Sequence, residues 1–475
     1  MHGRPYKLLL LGLSALLLAG AGFMQRALNR ERTSLGLTRL EPLENAPPML
    51  AFTTVALGGF RGLIANALWI RANELQLEDK FFEQVQLSSW ISKLEPHFTQ
   101  VWLVQSWNMA YNISVKFRAP EDRWRWVQRG IELLRDEGLK YNPKEALLYR
   151  ELAWFYQHKM GQNLDDAHLY YKYTWARIMT NAMGGIRPDY DALLNPKTDA
   201  HRAHLAILRD QLKMDPAMMK KTDDFYGPLE WRLPEATAMY WATVGLEKSN
   251  NKDLTTLRRV IYQCSQVSVL RGRIILVRGD GSFSTAPDFA KIPQAIEGFE
   301  KMLVEEKEKP YVVERPYRNF LKEVVYLLYM GNRVAEANRW MAVLKEKFPD
   351  AIPKQVTAEE FALNRMTDSV GDVDNARTTA LIMGLILQHL DNLALGEDDR
   401  AAGILRMSRQ IYDYYVGKTS TRQVALKLPP FNNYYQEGLS NKLQNLPPEF
   451  AARLRTTLNL PAPTAPATNA PPARP

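Results

Sequence analysis

From Met49 to about Leu460 the sequence keeps one rhythm, a helical stretch, a short turn and another helical stretch, and few architectures accept such a run. Prolines stand just before several of the stretches, as Pro96 and Pro143 do. Glycine is scarce, with 26 in 475 residues, and long segments carry none. That suits helices and argues against a β-sandwich or a doubly wound sheet. At 46% hydrophobic and 24% charged, the chain has apolar material for a large core, or for a solenoid in which each hairpin buries its face on the next. Its 11 Trp and 21 Tyr are the residues that fill gaps between helices. The expected fold class is all-α.

The first residues, MHGRPYK, form a short basic segment, and Leu8 to Met24 follow without a charge. That run is near the lower limit for a spanning helix and longer than a typical signal core. Two outcomes stay open: cleavage after Ala21, with Ala19 and Ala21 meeting the small-x-small rule, or retention of residues 1–24 as a transmembrane signal anchor. The length of the run favours the anchor. No Cys stands near LLAGAG, so lipoprotein attachment is not expected. Arg4 and Lys7 precede the run, and Arg26, Arg30, Arg32 and Arg39 follow it, so the positive-inside rule does not orient it. The export-like order of basic segment and Leu-rich run places the bulk of the chain outside the cytoplasm, at the inner membrane, in a single pass. A second apolar stretch, Met49 to Ala72, carries Arg61 near its middle, at a cost in lipid. It reads as a buried helix pair turning at Gly58 and Gly59, with a membrane-embedded hairpin as the alternative.

The net charge of +9 is spread thinly. It does not form the dense stripe of a nucleic-acid groove, and no nucleic-acid partner is expected. The single cysteine, Cys264, allows neither an intramolecular disulfide nor a thiolate metal cage, and it lies in a helix-like, core-like run. Residues 25–48, ending in Pro47-Pro48, read as a linker, and the Pro/Ala-rich tail 461–475 as disordered. Two places interrupt the helical rhythm. Residues 181–200 look like a loop, and 271–288 like a small β-hairpin, with Ile274, Ile275 and Val277 before a turn at Gly279-Asp280-Gly281. Asp288 then reads as the cap of the next helix.

Within this rhythm the helix starting at Ala146 places Tyr149, Leu152, Ala153 and Tyr156 on one side, and Ala167, Tyr171 and Thr174 follow in the next helix. Before Pro349, Leu321, Val324 and Leu328 are followed by Ala337, Met341 and Leu344. Weaker units end at Pro96, where Trp102 opens the next helix, and begin at Glu235. This spacing of large and small residues resembles the tetratricopeptide repeat (TPR) family, a helix–turn–helix of about 34 residues. Leu344 departs from the family pattern, which has a small residue there. The stretch LGGFRGLIANALWIRA before the first unit looks like the start of bacterial membrane-anchored TPR-like proteins. The resemblance implies TPR-like regions over 49–184 and 185–460. It also implies a concave surface built from first helices. Leu103, Trp107 and Tyr111 would come from one, Arg150, Trp154, Gln157 and His158 from the next, and Lys322, Tyr326 and Tyr329 from a later one.

Such a surface, aromatic with basic and amide groups, suits an extended peptide or an acidic tail. The expected function is a membrane-anchored scaffold or adaptor that binds protein or peptide partners at the cell envelope, without cofactor or metal. The alternative is an exported carbohydrate-active enzyme of the α/α-barrel lyase or lytic type with an aromatic-lined cleft. No P-loop, GxSxG, HExxH or EF-hand pattern is present. His201 and His204, with Asp199, could share one helix face, but no further metal ligands are evident in the sequence. Arg278-Gly279-Asp280 spells RGD where a turn needs Gly and Asp for its own reasons. Deleting Met1 to Met24 is expected to move the protein from the membrane to the soluble fraction; continued sedimentation with membranes would transfer the anchoring role to 49–72.

Overall fold

The structure, a computed structural model, describes residues 4–34, 61–250, 254–278, 281–307, 310–367, 375–419 and 428–461. Helix covers 78% of the described residues and strand 2%. The protein is therefore all-α apart from a small two-stranded sheet. The linker residues 35–48, the proposed Gly58-Gly59 turn, Gly279-Asp280 and the tail from 462 lie outside the described residues.

The chain divides into two compact units, Met1–Pro96 and His97–Pro475. In the first, α1 (Arg4–Ser34) contains the apolar run and continues through Arg26 and Arg30. Leu13, Leu16, Leu17, Phe23, Met24 and Leu28 are all exposed on it. Helices α2 (Arg61–Leu77) and α3 (Phe81–Leu94) form a hairpin whose turn uses Asp79 at a φ of 58°. Ala65, Ala72 and Leu75 face inward on α2, while Leu63, Ile70 and Leu77, seven residues apart, face out.

The second unit opens with two consecutive hairpins. Helix α4 (Thr99–Trp107) runs on through a π turn (Asn108–Ile113) and is followed by α5 (Pro120–Glu132), which has its own π turn (Leu133–Gly138). Helix α6 (Ala146–Trp154) likewise passes into a π turn (Phe155–Met160) and is followed by α7 (His168–Met183). Pro120 begins α5 at a position where its missing N–H costs nothing. Gly184 ends α7 in the left-handed conformation, φ 74°, as a helix-stopping glycine does.

The stretch 181–200 is not all loop. Asp189 caps α8 (Tyr190–Leu194), accepting the Ala192 N–H at 3.0 Å, and Thr198 caps α9 (Asp199–Ala206), accepting the His201 N–H at 3.1 Å. Helices this short carry almost no hydrophobic periodicity, so their caps were their only signal. Helix α10 (Pro216–Tyr226) then leads to α11 (Pro234–Lys248). Every residue of α11 from Pro234 to Gly245 is buried. The first helix of an open hairpin stack keeps one face for solvent, and the unit expected at Glu235 has none; α6, α10 and α12 (Thr255–Arg271) pack around it.

One core cluster runs from Trp102 to Cys264 and a second from Tyr262 to Leu454, so the apolar interior passes through residues 184–185 and changes hands within α12. Cys264 is fully buried there, and burial pushes its thiol well above its ordinary value.

The sheet stands where the hairpin was expected. Strand β1 (Arg273–Val277) pairs antiparallel with β2 (Phe283–Ala286), with a register irregularity between Ile274 and Leu276. Phe283 and Ile274 pack on Tyr173 and Ala176 of α7. Asp288 accepts the Ala290 N–H at 3.3 Å before α13 (Ile292–Glu305), so it caps a short 3-10 turn that feeds that helix. Arg278 of the RGD sequence ion-pairs with Glu449 and lies 5.4 Å from the centre of the Phe450 ring.

Beyond it, α14 (Tyr311–Met330) and α15 (Val334–Lys347) form a hairpin in which Leu321, Val324, Leu328, Ala337, Met341 and Leu344 are all buried. Helix α16 (Ala358–Thr367) precedes α17 (Asn375–Leu395) and α18 (Asp398–Thr419), which pack together. Among the described residues α17 is the one helix of 18 or more residues apolar enough to cross a membrane; 50% of that window is buried in the protein, and α18 and a later helix, Phe431–Asn445, cover it. Gly403 of α18 sits against the end of α14. A Cβ there would lie 2.7 Å from the Met330 carbonyl carbon and 2.8 Å from the Asn332 nitrogen, both main chain. Gly403→Ala is expected to lower stability by about 1–3 kcal/mol through overpacking. The check is the urea midpoint; no change would mean that α14 and α18 separate freely.

Candidate functional site

The π turns position the aromatic residues. Two of them begin directly after a tryptophan, Trp107 in the first hairpin and Trp154 in the second. A π turn widens the helix by one residue and re-aims the side chains that follow, and such turns recur at functional sites. Tyr111 and His158 are 47 residues apart and Tyr111 Oη lies 3.0 Å from His158 Nδ1. Trp107 and Trp154 repeat that spacing, as do Trp124 and Tyr171, whose rings pack 6.1 Å apart behind the face. The two hairpins are thus equivalent units, each contributing one tryptophan and one polar ring.

The five residues form a continuous ladder. The Arg150 guanidinium lies 4.7 Å from the centre of the Trp154 ring. Trp154 stacks on His158 at 4.4 Å and 11° between planes. His158 meets Tyr111 through the hydrogen bond, and Tyr111 stacks on Trp107 at 5.0 Å. The i, i+4 spacing of Arg150, Trp154 and His158 keeps them on one helix face. Trp107 is 40% exposed, and Leu147, one turn before Arg150 on the same face, is 49% exposed. Trp154, Tyr111, Arg150 and His158 are half-buried. Trp107 and Leu147 thus leave apolar side-chain surface open on the face that carries Arg150.

The protonation states follow from the surroundings. Burial, reinforced by the Glu151 carboxylate, pushes the Tyr111 phenol far up, so it stays an O–H donor. Burial, with Lys159 and Arg150 nearby, holds His158 below its ordinary value, so the imidazole is neutral at pH 7 and its Nδ1 accepts from Tyr111. Arg150 is ion-paired with Glu151 at 2.8 Å, and burial raises the Glu151 carboxyl.

Behind the ladder lies a charge cluster that the linear pattern did not mark. Asp165, 9% exposed, accepts from Lys159 Nζ at 2.6 Å, Arg123 at 3.0 Å, the Ala167 N–H at 2.8 Å and Tyr171 Oη at 3.2 Å. Lys159 Nζ also lies 5.0 Å from the centre of the Tyr111 ring, beneath the ladder. The sequence signal was present only as Asp165-Asp166 at a helix start, which reads as simple pairing with the helix dipole.

Five further residues were expected to line the surface. Lys322 and Tyr326 are half-buried on α14, Tyr326 packed against the second core; Arg365 lies 4.4 Å from the centre of the Tyr326 ring, whose hydroxyl donates to Met366 Sδ at 3.0 Å. Tyr329 is not a surface residue. It is 2% exposed, with Arg406 4.6 Å from its ring centre and Gln410 Nε2 donating to its hydroxyl at 2.9 Å. Both partners come from α18, about 80 residues on, which covers that side of α14. Gln157 is also buried, its amide donating to Gln263 of α12 at 2.8 Å. Leu103 is half-buried against the first core. His204 Nδ1 lies 2.8 Å from the Asn181 carbonyl at the end of α7, and among the described residues no three His, Cys, Asp or Glu side chains converge as ligands.

The Asp165 cluster makes a testable statement about stability. Burial alone would raise this carboxyl; the hydrogen bonds from Lys159 and Ala167, with Arg123, outweigh it and hold it below the usual carboxylate range. A depressed carboxyl stabilises the fold above its unfolded value, near 3.9, and that contribution is lost as pH falls through the lower folded value. Asp165→Asn is expected to cost roughly 3–5 kcal/mol at neutral pH, because buried cations lose their anion. In denaturant titrations the gap from the unaltered protein should shrink only below about pH 4. A gap that persists unchanged into acid would remove Asp165 from this role.

Set against protein-family models, the curated proteins and the solved structures, the chain matches none.

Proposed function

We propose that this protein is a membrane-anchored scaffold of TPR-like hairpins that binds an extended peptide segment of a partner protein at the cell envelope. The observation that carries this reading is the ladder Arg150–Trp154–His158–Tyr111–Trp107, built from equivalent positions of consecutive hairpins and open at Trp107. Its chemistry selects the occupant. Stacked rings offer flat apolar area at low entropic cost, and a guanidinium at one end prefers a carboxylate. The fitting segment is therefore extended, with an apolar or aromatic side chain opposite Trp107 and an acidic group opposite Arg150.

The anchor is read from α1, whose exposed leucines and Phe23 have the character of a lipid-facing surface. The export-like order of the N-terminus favours placing the second unit outside the cytoplasm at the inner membrane. The solenoid reading draws on the two consecutive hairpins of α4 to α7 and on the α14–α15 hairpin. The enclosure of α11 limits it to those segments.

The test is fluorescence anisotropy with an array of labelled extended peptides that vary one acidic and one aromatic position, using the detergent-solubilised full chain. Acidic, aromatic peptides are expected to bind best. Arg150→Ala and Trp107→Ala should each weaken them about tenfold, as truncated anchor residues do, with an unchanged circular dichroism spectrum. Ala153→Leu, at a fully buried position of the same helix, should instead lower stability by about 1–3 kcal/mol. Binding that ignores both face substitutions, or oligosaccharides retained in place of peptides, would sink the proposal; the latter would favour the carbohydrate-active alternative.

A further inference from the structure

A second site lies away from the ladder, under the β-hairpin. The hairpin's Phe283, Ser284 and Thr285 form one wall of a cavity of about 190 Å³, and α7 with the loop before it, the start of α11 and the end of α12 supply the rest. A water needs only about 10–15 Å³ of such space. The cavity can therefore hold an organic molecule.

Its polar groups are unbalanced. Lys172 is 5% exposed, yet its ammonium meets neutral partners: Asn163 Oδ1 at 2.7 Å, His168 Nδ1 at 3.1 Å and the Gln162 carbonyl at 3.4 Å. Arg271 donates through one terminal nitrogen to the Gly161 carbonyl at 2.6 Å and to Glu235 Oε1 at 3.1 Å, while its Nε is buried without a hydrogen-bond partner. Glu235 is the one carboxylate among the lining residues, against the two cations. Burial, with Lys172 and Arg271 close by, keeps His168 below its ordinary value, so it adds no positive charge at neutral pH. Buried charge without a counter-charge is costly, and an unpaired guanidinium N–H adds to that cost.

We propose that this cavity binds a small monocarboxylate, with its carboxylate between Lys172 and Arg271 and its hydrocarbon part against Leu169, Leu233 and Phe283. The charge count selects the class. Two cations and one carboxylate leave one positive charge, which a monoanion neutralises and a dianion overshoots. The apolar lining selects an organic acid over an inorganic oxyanion. Arginine recognises carboxylates through paired N–H groups, and Arg271 lines the cavity. The site is independent of the peptide-binding face, so either can fail alone.

The experiment is isothermal titration calorimetry of the detergent-solubilised full chain with butyrate, its neutral isostere butyramide and inorganic phosphate, at neutral pH. Butyrate is expected to bind, butyramide not to bind, and phosphate to bind more weakly than butyrate. Burial, with Arg271 adding to it, pushes the Lys172 ammonium down to about 8. Loss of that proton should therefore weaken butyrate as the pH rises from about 7 to about 9.5. Lys172→Met should weaken it about tenfold or more, the worth of a charge-assisted hydrogen bond. Glu235→Gln, which removes the competing carboxylate, should tighten it. Butyrate binding no better than butyramide, phosphate binding tighter than butyrate, or affinity unmoved by pH would each overturn the proposal on the unaltered protein. Failure of a variant to fold therefore leaves the test intact.

Discussion

The first core is organised by a helix that has no outside. Along α11 twelve consecutive residues, Pro234 to Gly245, are shielded from solvent, and they include Trp241, Tyr240 and Met239 as well as Thr237 and Thr243. An element of this kind stabilises only if its neighbours surround it on every side, because each uncovered face would forfeit burial worth about 25 cal/mol per Å². That requirement brings α6, α10 and α12 together although they are distant in sequence. Close approach is aided at Gly245, where a Cβ would stand 2.7 Å from that of Tyr149. Asp215 donates its N–H to the Tyr240 hydroxyl at 2.8 Å, satisfying one of the polar groups that enclosure would otherwise strand.

The candidate face depends on that packing at one remove. Helix α6 presents Leu148, Leu152 and Ala153 inward and has Arg150 and Trp154 left on the other side. The π turn after Trp154 then rotates the continuation so that His158 meets Tyr111 of the neighbouring hairpin. Asp165 holds Lys159 beneath the Tyr111 ring, so a buried ion cluster supports the ladder from behind.

The β-hairpin has a different part. A helical protein gains little from one isolated pair of strands, since two strands are marginal by themselves. Here the pair is held by Phe283 and Ile274 on α7, and by Arg273, which grips Glu397 at 2.7 Å. Its inner edge closes a cavity whose cations outnumber its carboxylate. Sites that depart from local rules of charge balance are where function concentrates.

The sequence by itself determined the local structure and much of the candidate face. Scarce glycine, helix-starting prolines and helical spacing marked the all-α class, and β-branched residues around Gly279-Asp280-Gly281 marked the hairpin. Helical spacing puts Trp107 with Tyr111, and Arg150 with Trp154 and His158, because an i, i+4 relation within one helix is a property of backbone geometry alone; that the two sets share a surface was implied only by the resemblance to TPR units. What lies against a given helix face is not local, and only the tertiary structure decided it. Tyr329 had the same helical credentials as Tyr111, yet α18 covers it; Gln157 had those of His158, yet Gln263 closes over it. The short helices α8 and α9 were hidden because a turn or two gives no period to read. The cluster around Asp165 and the cavity around Lys172 were hidden for a related reason. Their members come from helices, loops and strands up to about a hundred residues apart, and no spacing rule links groups that meet only when separate elements pack.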